Sequence, residues 1–342
     1  MKKALVMART NNLGDDIQAW PAWQFWGRNV DAVLERDTLE WWHPLGFDLK
    51  PEEKVAIIFN GWLTHNPRGW FPPQNLSPLF ISLHIAPEIA PKFFRPELVE
   101  YLSQFEIGAR DLATLDLLKS YGLKAYFSGC LTLTVSHWLS RTAPPKEFRP
   151  LIVDLDDEAM HYVPLEIRNA SINSTQEISN QTSAILKLIS KITQMRWAKA
   201  LKTILPRSFL DSSSYFVFRK ILDMSPGVPK SPLSRLVLAE ERLRLLSGAS
   251  LILTSRLHVA LPAASLGVPV ILVHPRLHED PRFSGLSGLV NGYTLEEFRE
   301  VSHDLSYDKL TNPGLGEIDS LKGAILARLN EYRSSVSSLL VS

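Results

Sequence analysis

The stretch Leu251-Ile-Leu-Thr-Ser-Arg-Leu-His258-Val-Ala-Leu-Pro-Ala-Ala-Ser-Leu-Gly-Val-Pro-Val-Ile-Leu-Val273 holds one complete unit of architecture. The apolar run Leu251–Thr254 predicts a buried strand. A polar turn follows, Val259–Leu266 predicts a helix, Gly267 ends it, and Pro269–Val273 predicts the next strand. A strand–helix–strand unit this apolar is the mark of a parallel sheet, whose strands are covered on both faces. Arg256 and His258 then fall at the carboxyl end of a buried strand, beside a helix N-terminus. Free N–H groups and the helix dipole favour an anion there. An Arg fork grips a carboxylate or phosphate with two bonds, and a His moves a proton near neutral pH. Spacing alone leaves a second reading open, with Arg256 an exposed loop cation and His258 a capping or packing residue.

The same alternation extends in both directions. Strands are predicted at Ala4–Ala8, Val30–Leu34, Val55–Phe59, Leu79–His84, Glu106–Ala109 and Lys124–Phe127. Helices are predicted from near Asp15, over Pro96–Phe105, and from an Asp111 cap through Tyr121 to Gly122. The stretch Arg141–Pro150, with Pro144 and Pro145 adjacent, stops both helix and strand and divides the chain into 1–145 and 146–342. Beyond it Leu151–Leu155 restarts the strands. Gln176–Leu205, Pro232–Gly248, Glu296–Asp304 and Ile318–Leu340 read as helical, the last a candidate to cross back onto the first half. Two α/β halves imply a cleft, and ligands of open α/β sheets bind at the carboxyl ends of strands.

Composition removes several classes of function. The chain has 342 residues, with 37 Lys plus Arg against 36 Asp plus Glu and a net charge of +1. That balance argues against a nucleic-acid partner, which needs a basic surface to release counterions. A single cysteine, Cys130, excludes an internal disulfide and cysteine-rich metal sites, and no acidic cluster has metal-ligand spacing. No metal is therefore expected. The apolar run after Lys2-Lys3 is too short for a signal-peptide core, and no run of about 18 apolar residues occurs, so a cytoplasmic location is expected. Lys187, Lys191, Arg196, Lys199, Lys202 and Arg207 lie in a span with no carboxylate between Glu177 and Asp211. The segment 185–207 reads either as a surface for peripheral membrane contact or as an ordinary amphipathic helix with a basic face.

Other candidates sit at further strand exits. In Thr10–Ile17, Gly14 permits close approach of a ligand, and Asp15 either meets a sugar hydroxyl, acts as a base, or caps the helix. The three glycines of a dinucleotide fingerprint are missing. Asn60 follows one strand, His84 ends another, and Arg110 in Gly108-Ala-Arg-Asp111 is a second cation for an anion. Seven of the nine tryptophans fall in the first 70 residues. Trp20, Trp23 and Trp26 share helical spacing and predict core, whereas Trp62 and Trp70 flank a polar loop and suit a platform for a sugar ring.

Three motifs occur in order along the chain. They are Asn12-Leu-Gly-Asp-Asp16, then Gly108-Ala-Arg-Asp111 followed by Ser128-Gly-Cys-Leu-Thr-Leu133, then Thr254-Ser-Arg-Leu-His258 with its Ala-Leu-Pro-Ala-Ala-Ser-Leu-Gly-Val-Pro-Val helix and strand. Together they resemble the polysaccharide pyruvyltransferase family. Residues from about 156 to 230 match none of its motifs. The resemblance implies two Rossmann-like domains facing a cleft, a GT-B-like fold. It implies transfer of pyruvate from phosphoenolpyruvate onto two hydroxyls of a sugar in a polysaccharide or its lipid-linked precursor, giving a ketal and phosphate. The donor is a substrate and no cofactor is implied. Arg256, Leu257 and His258 fall on the phosphoenolpyruvate pocket. His258 and Asp15 are then the candidates for proton transfer, with Arg110, Gly14, Asn60 and His84 as further substrate contacts. Two rivals stand beside this reading: a nucleotide-sugar glycosyltransferase on the same fold, and a non-catalytic sugar-binding relative. Glu158 and Glu166 have the eight-residue spacing of retaining enzymes of that fold, but no glycine-rich loop precedes them.

Overall fold

The computed structural model describes residues 1–42, 53–142, 147–178 and 231–338. Their strands form two sheets, and every pairing within them is parallel. The first sheet contains β1 (Lys2–Met7), β2 (Ala32–Glu35), β3 (Val55–Leu63), β4 (Leu76–Ile85), β5 (Ile107–Ala109) and β6 (Ala125–Phe127), in the order β2-β1-β3-β4-β5-β6. The second contains β7 (Leu151–Val153), β8 (Ile172–Ser174), β9 (Ile252–Thr254), β10 (Val270–Val273) and β11 (Asn291–Tyr293), in the order β11-β10-β9-β7-β8. The strands are apolar runs because helices cover both faces: Leu5, Ile57, Leu253 and Ile271 are fully buried. Strand order reverses between β1 and β3 and again between β7 and β9. At such a switch point successive connections leave in opposite directions and open a crevice beyond the carboxyl ends.

Three of the boundaries that differ from the sequence reading bear on the site. The first helix spans Leu13–Phe25, because Asn12 caps it by accepting from Gly14 N at 3.0 Å. Asp15 is therefore inside the first turn and free of capping. The helix after β9 runs Leu257–Ser265, which brings His258 into its first turn. Gln176 is no helix start: it lies in a bend, and Glu177 bridges antiparallel to Asn12. The rest of the helix expected to Leu205, including 185–207, lies outside the described residues.

The two sheets are joined through buried polar and apolar contacts. Arg235, on the helix Pro232–Ser247, donates to both oxygens of Asp16 at 2.8 Å, and Asp16 is fully buried. A third bond runs from Arg235 to the carbonyl of Thr10. Backbone bonds Leu13 N to Gln176 O (3.0 Å) and Ile178 N to Asn11 O (2.9 Å) stitch the halves beside it. One continuous apolar core runs through Leu5 and Trp20 in the first half to Leu151, Leu236 and Leu261 in the second. The helix Leu315–Ser338 returns to the first sheet. There the Tyr332 hydroxyl accepts from Ile57 N at 2.8 Å and donates to Ser77 O at 2.5 Å. Trp20, Trp23 and Trp26 are core, as their spacing predicts. Trp70 is core as well, which removes it as a sugar platform: it is fully buried, with its indole N–H on the carbonyl of Arg36.

Burial raises the Asp16 pKa to about 7, against the pull of Arg235. Removing Arg235 strands the carboxyl in apolar surroundings, where breaking one partner of a buried pair costs about 3–5 kcal/mol. Arg235→Met should lose about that much stability in urea unfolding, and the double variant Asp16→Leu/Arg235→Met should recover most of it. The folded single variant holds a proton on Asp16 that the unfolded chain gives up near pH 3.8. Wild-type Asp16 holds the same proton up to about pH 7, so the deficit should stay level from pH 5 to 7 and widen above 7, where the wild type has released it and the variant has not. Additive losses in the double variant would show that the pair is not the joint between the halves.

Candidate active site

A cavity of about 650 Å³ opens where the carboxyl ends of the two sheets face each other. Asn12, Asp15 and Gln18 reach it from the first helix, and Arg36, Trp62, His65 and Arg110 from β2, β3 and β5. The second half contributes Asp154 to Asp157 after β7, Gln176 after β8, Ser255 to His258 after β9, and His274 and Arg282 after β10.

One end of the cavity is built around Arg110. Its side chain is 1% exposed, and its Nε lies 3.3 Å from Asp111 Oδ2. Asp111 caps the helix Leu112–Ser120 by accepting from Thr114 N, and its Oδ2 lies 2.7 Å from His84 Nδ1. Burial would raise the Asp111 carboxyl, but the bond from His84 and the charge of Arg110 hold it below its ordinary value. Arg110 Nη2 is buried with no hydrogen-bond partner among the described residues. A guanidinium N–H without a partner is costly unless a ligand or water completes it.

His258 Nε2 is likewise buried without a partner among the described residues. Its backbone carbonyl accepts from Gln176 Nε2 at 3.2 Å. Burial and the charges of Arg110 and Arg282 hold its pKa well below the ordinary 6.5, so the free imidazole is neutral at pH 7. Leu257 is buried and forms part of the apolar floor.

Arg256 stands apart from this group. Its side chain is 51% exposed, and its Nε faces Asp154 Oδ2 at 3.5 Å. Asp154 has φ of +43°, unusual for a residue with a side chain, and its Oδ2 accepts from Gln176 N at 2.9 Å. The opposite wall is Trp62, with the Arg36 guanidinium 5.0 Å from its ring and His65 packed against it at 4.4 Å. Asp15 binds Thr10 Oγ1 at 2.7 Å, Arg36 Nη1 at 3.2 Å and Gln18 Nε2 at 3.3 Å.

The structure thus brings Arg110, Asp15, Arg256, Leu257 and His258 to one cavity and keeps three candidates off its wall. His84 is 2% exposed and lies behind Asp111, whose carboxylate it holds. Asn60 is buried in a small side recess, with its amide on the carbonyl of Gln18. Gly14 makes room for protein: a Cβ there would meet Gln176 Oε1 at 2.8 Å. Sequence reasoning missed Arg36, Asp154, Gln176, His274 and Arg282. A strand-end rule applied to β2 and β7 finds Arg36 and Asp154, whereas Gln176 and Arg282 follow no local pattern. Glu158 and Glu166 are exposed and lie outside the cavity.

The family model described as polysaccharide pyruvyl transferase matches residues 12–274. No curated protein matches. Among solved structures, a protein of uncharacterised function from Klebsiella pneumoniae is similar at 12% identity and a TM-score of 0.40, over 86% of this chain and 92% of that one.

The electrostatics predict a measurable protonation state. In ring-labelled protein, the nitrogen shifts of His258 should show neutral imidazole at pH 6, when free histidine is mostly charged. His84, His258 and His274 are all held below 6.5. The unfolded chain binds these protons first, so stability should fall as pH drops below about 6.5. A His258 that titrates at 6.5 or above would contradict the geometry.

Proposed function

The chain belongs to the polysaccharide pyruvyl transferase family, and we propose that its cleft moves pyruvate from phosphoenolpyruvate onto two hydroxyls of one sugar, forming a cyclic ketal and releasing phosphate. As a member it is a transferase that acts on polysaccharides. The observation that carries the finer reading is a pair of unsatisfied buried groups in one cavity, Arg110 Nη2 and His258 Nε2. The first is the free end of a cation that Asp111 engages only at Nε. The second is a proton carrier without a partner. An anionic donor that must be protonated during reaction completes both.

The chemistry needs three events. A proton reaches the methylene carbon of the enol, leaving an oxocarbenium-like centre. One sugar hydroxyl adds to that centre and loses its proton. The second hydroxyl then displaces phosphate, which leaves with the bonding pair, and the second hydroxyl proton goes to the medium or to phosphate. His258 is neutral in the free protein and so begins as a proton acceptor. Bound donor brings negative charge beside it and raises its pKa, which equips it to give the proton back. Arg256 and Arg110 meet the anionic groups of the donor. Asp15 is held by three donors, which suits fixing the Arg36–Trp62 wall better than taking a proton. That wall offers an aromatic face to an acceptor sugar. A lipid-linked acceptor would draw on the six cations at 185–207, outside the described residues. Among the described residues no helix is long and apolar enough to cross a membrane. A nucleotide-sugar donor is less well served, since Glu158 and Glu166 lie outside the cavity.

Incubation with phosphoenolpyruvate and a panel of sugars and lipid-linked sugars should release phosphate and add a pyruvate ketal to one acceptor, read by mass spectrometry. Arg256→Ala should lower kcat/KM about ten- to hundredfold, mainly through KM for the donor, as loss of a charge-assisted bond does. His258→Asn should leave KM near normal and cut kcat by about 10²–10⁴. Nucleotide release from a nucleotide sugar, or wild-type rates in both folded variants, would overturn the reading.

A further inference from the structure

The donor just proposed carries a phosphate and a carboxylate, and resting on that reading we propose that Arg282 is the second guanidinium of the phosphate site. It reaches in from the second half to complete what Arg110 begins in the first, and Arg256 is left for the carboxylate. Arg282 sits in the short turn Pro281–Phe283 after β10 and lines the cavity that Arg110 and His258 line.

The turn is clamped onto the segment that carries Arg110. Leu112 N donates to Ser284 O at 3.1 Å, and Ala113 N to Ser284 Oγ at 2.9 Å. Arg110 and Arg282 are thus each two residues from the same junction. Asp280 takes Nε and Nη2 of Arg282 at 2.6 to 3.1 Å, which leaves Nη1 with no hydrogen bond among the described residues. The fork is oriented by its carboxylate, as a pre-positioned anion ligand should be. Half of the side chain remains exposed to the cleft.

The charge pattern divides the two anionic groups. At His258 the charges that matter are cationic ones, Arg110 and Arg282 foremost. Asp111 engages Arg110 at Nε, and Asp280 engages Arg282 at Nε and Nη2. A dianion fits between two such forks. Arg256, already facing Asp154 at 3.5 Å, suits a group of single charge. Nothing local in the sequence marks Arg282, which reaches the site only because β10 ends beside β9.

Calorimetric titration with inorganic phosphate and, separately, with phosphoenolpyruvate tests the assignment on the full chain. Arg282→Gln should weaken both ligands about ten- to hundredfold, and Arg282→Lys should weaken them less. Arg256→Gln should weaken phosphoenolpyruvate alone and leave inorganic phosphate within about threefold. Arg299→Gln, an exposed change of equal charge away from the cavity, should bind both as wild type. Asp280→Asn/Arg282→Gln should stay weak, because the lost contact and not a bared carboxylate is responsible. Recovery in that double variant overturns the proposal. So does wild-type phosphate binding by folded Arg282→Gln, or loss of phosphate binding in Arg256→Gln instead. If the wild type binds inorganic phosphate through Arg282 but gains nothing from phosphoenolpyruvate, the phosphate site stands and the donor reading falls. If it binds neither, both fall.

Discussion

Two carboxylates stand side by side at the start of the first helix, and the fold depends on the one that turns inward. Successive helix residues point about 100° apart. Asp16 therefore faces the second half, where Arg235 meets both its oxygens with no solvent present. Asp15 faces the cleft and holds Arg36. A buried pair of this kind gains little over apolar packing, but it tolerates no misalignment, since either charge alone is expensive. It therefore acts as a registration pin. With Asp16 fixed on Arg235, the helix Pro232–Ser247 lies along Leu13–Phe25, and the two switch points are brought to face each other. The cavity is what remains between them.

Around that pin the halves are joined by features that leave little room for sliding. Gln176 makes this plain. Its carbonyl takes Leu13 N, its backbone N–H goes to Asp154, its side-chain amide goes to the carbonyl of His258, and its Oε1 fills the space a Cβ on Gly14 would need. One residue thereby ties the first helix to the loops after β7 and β9. The glycine in Asn12-Leu-Gly-Asp serves docking between halves, and its effect on a ligand is indirect.

Much of this was legible in the sequence because it is local. Parallel strands covered on both faces appear as apolar runs, so nine of the eleven described strands fall within or beside runs that composition marks, with β8 and β11 missed, and helix ends at Asp111 and Gly122 obey capping chemistry. Strand ends point to the cleft, and Arg110, Asp15, Arg256, Leu257 and His258 all line it. The rule fails for His84 and Asn60, and the physical reason is the same for both. They lie within strands long enough to carry their side chains under the cavity wall, where Asp111 and the carbonyl of Gln18 engage them. Trp70 failed for a related reason: a polar loop around a tryptophan says nothing of the pocket of Phe59 and Phe93 that receives it. Arg36, Gln176 and Arg282 become site residues only through contacts between distant segments, and no local periodicity encodes those.

The arrangement also explains why a histidine that is neutral at rest is useful here. A protonated imidazole between Arg110 and Arg282 would be repelled by both, and burial adds to that cost. The resting site is therefore a cationic cavity with a proton acceptor in it. An incoming anion reverses the local sign: it screens the guanidiniums, lowers the cost of charging the ring, and makes proton uptake part of binding. In the proposed reaction, protonation of His258 would then depend on occupancy, so the acid would form when there is something to protonate. The same field disfavours protonation by bulk water in the empty cleft. Electrostatic preorganisation of this sort is a property of which way each carboxylate faces. Asp111 holds Nε of Arg110 and Asp280 holds Nε and Nη2 of Arg282, which leaves Nη2 of the first and Nη1 of the second for whatever anion enters.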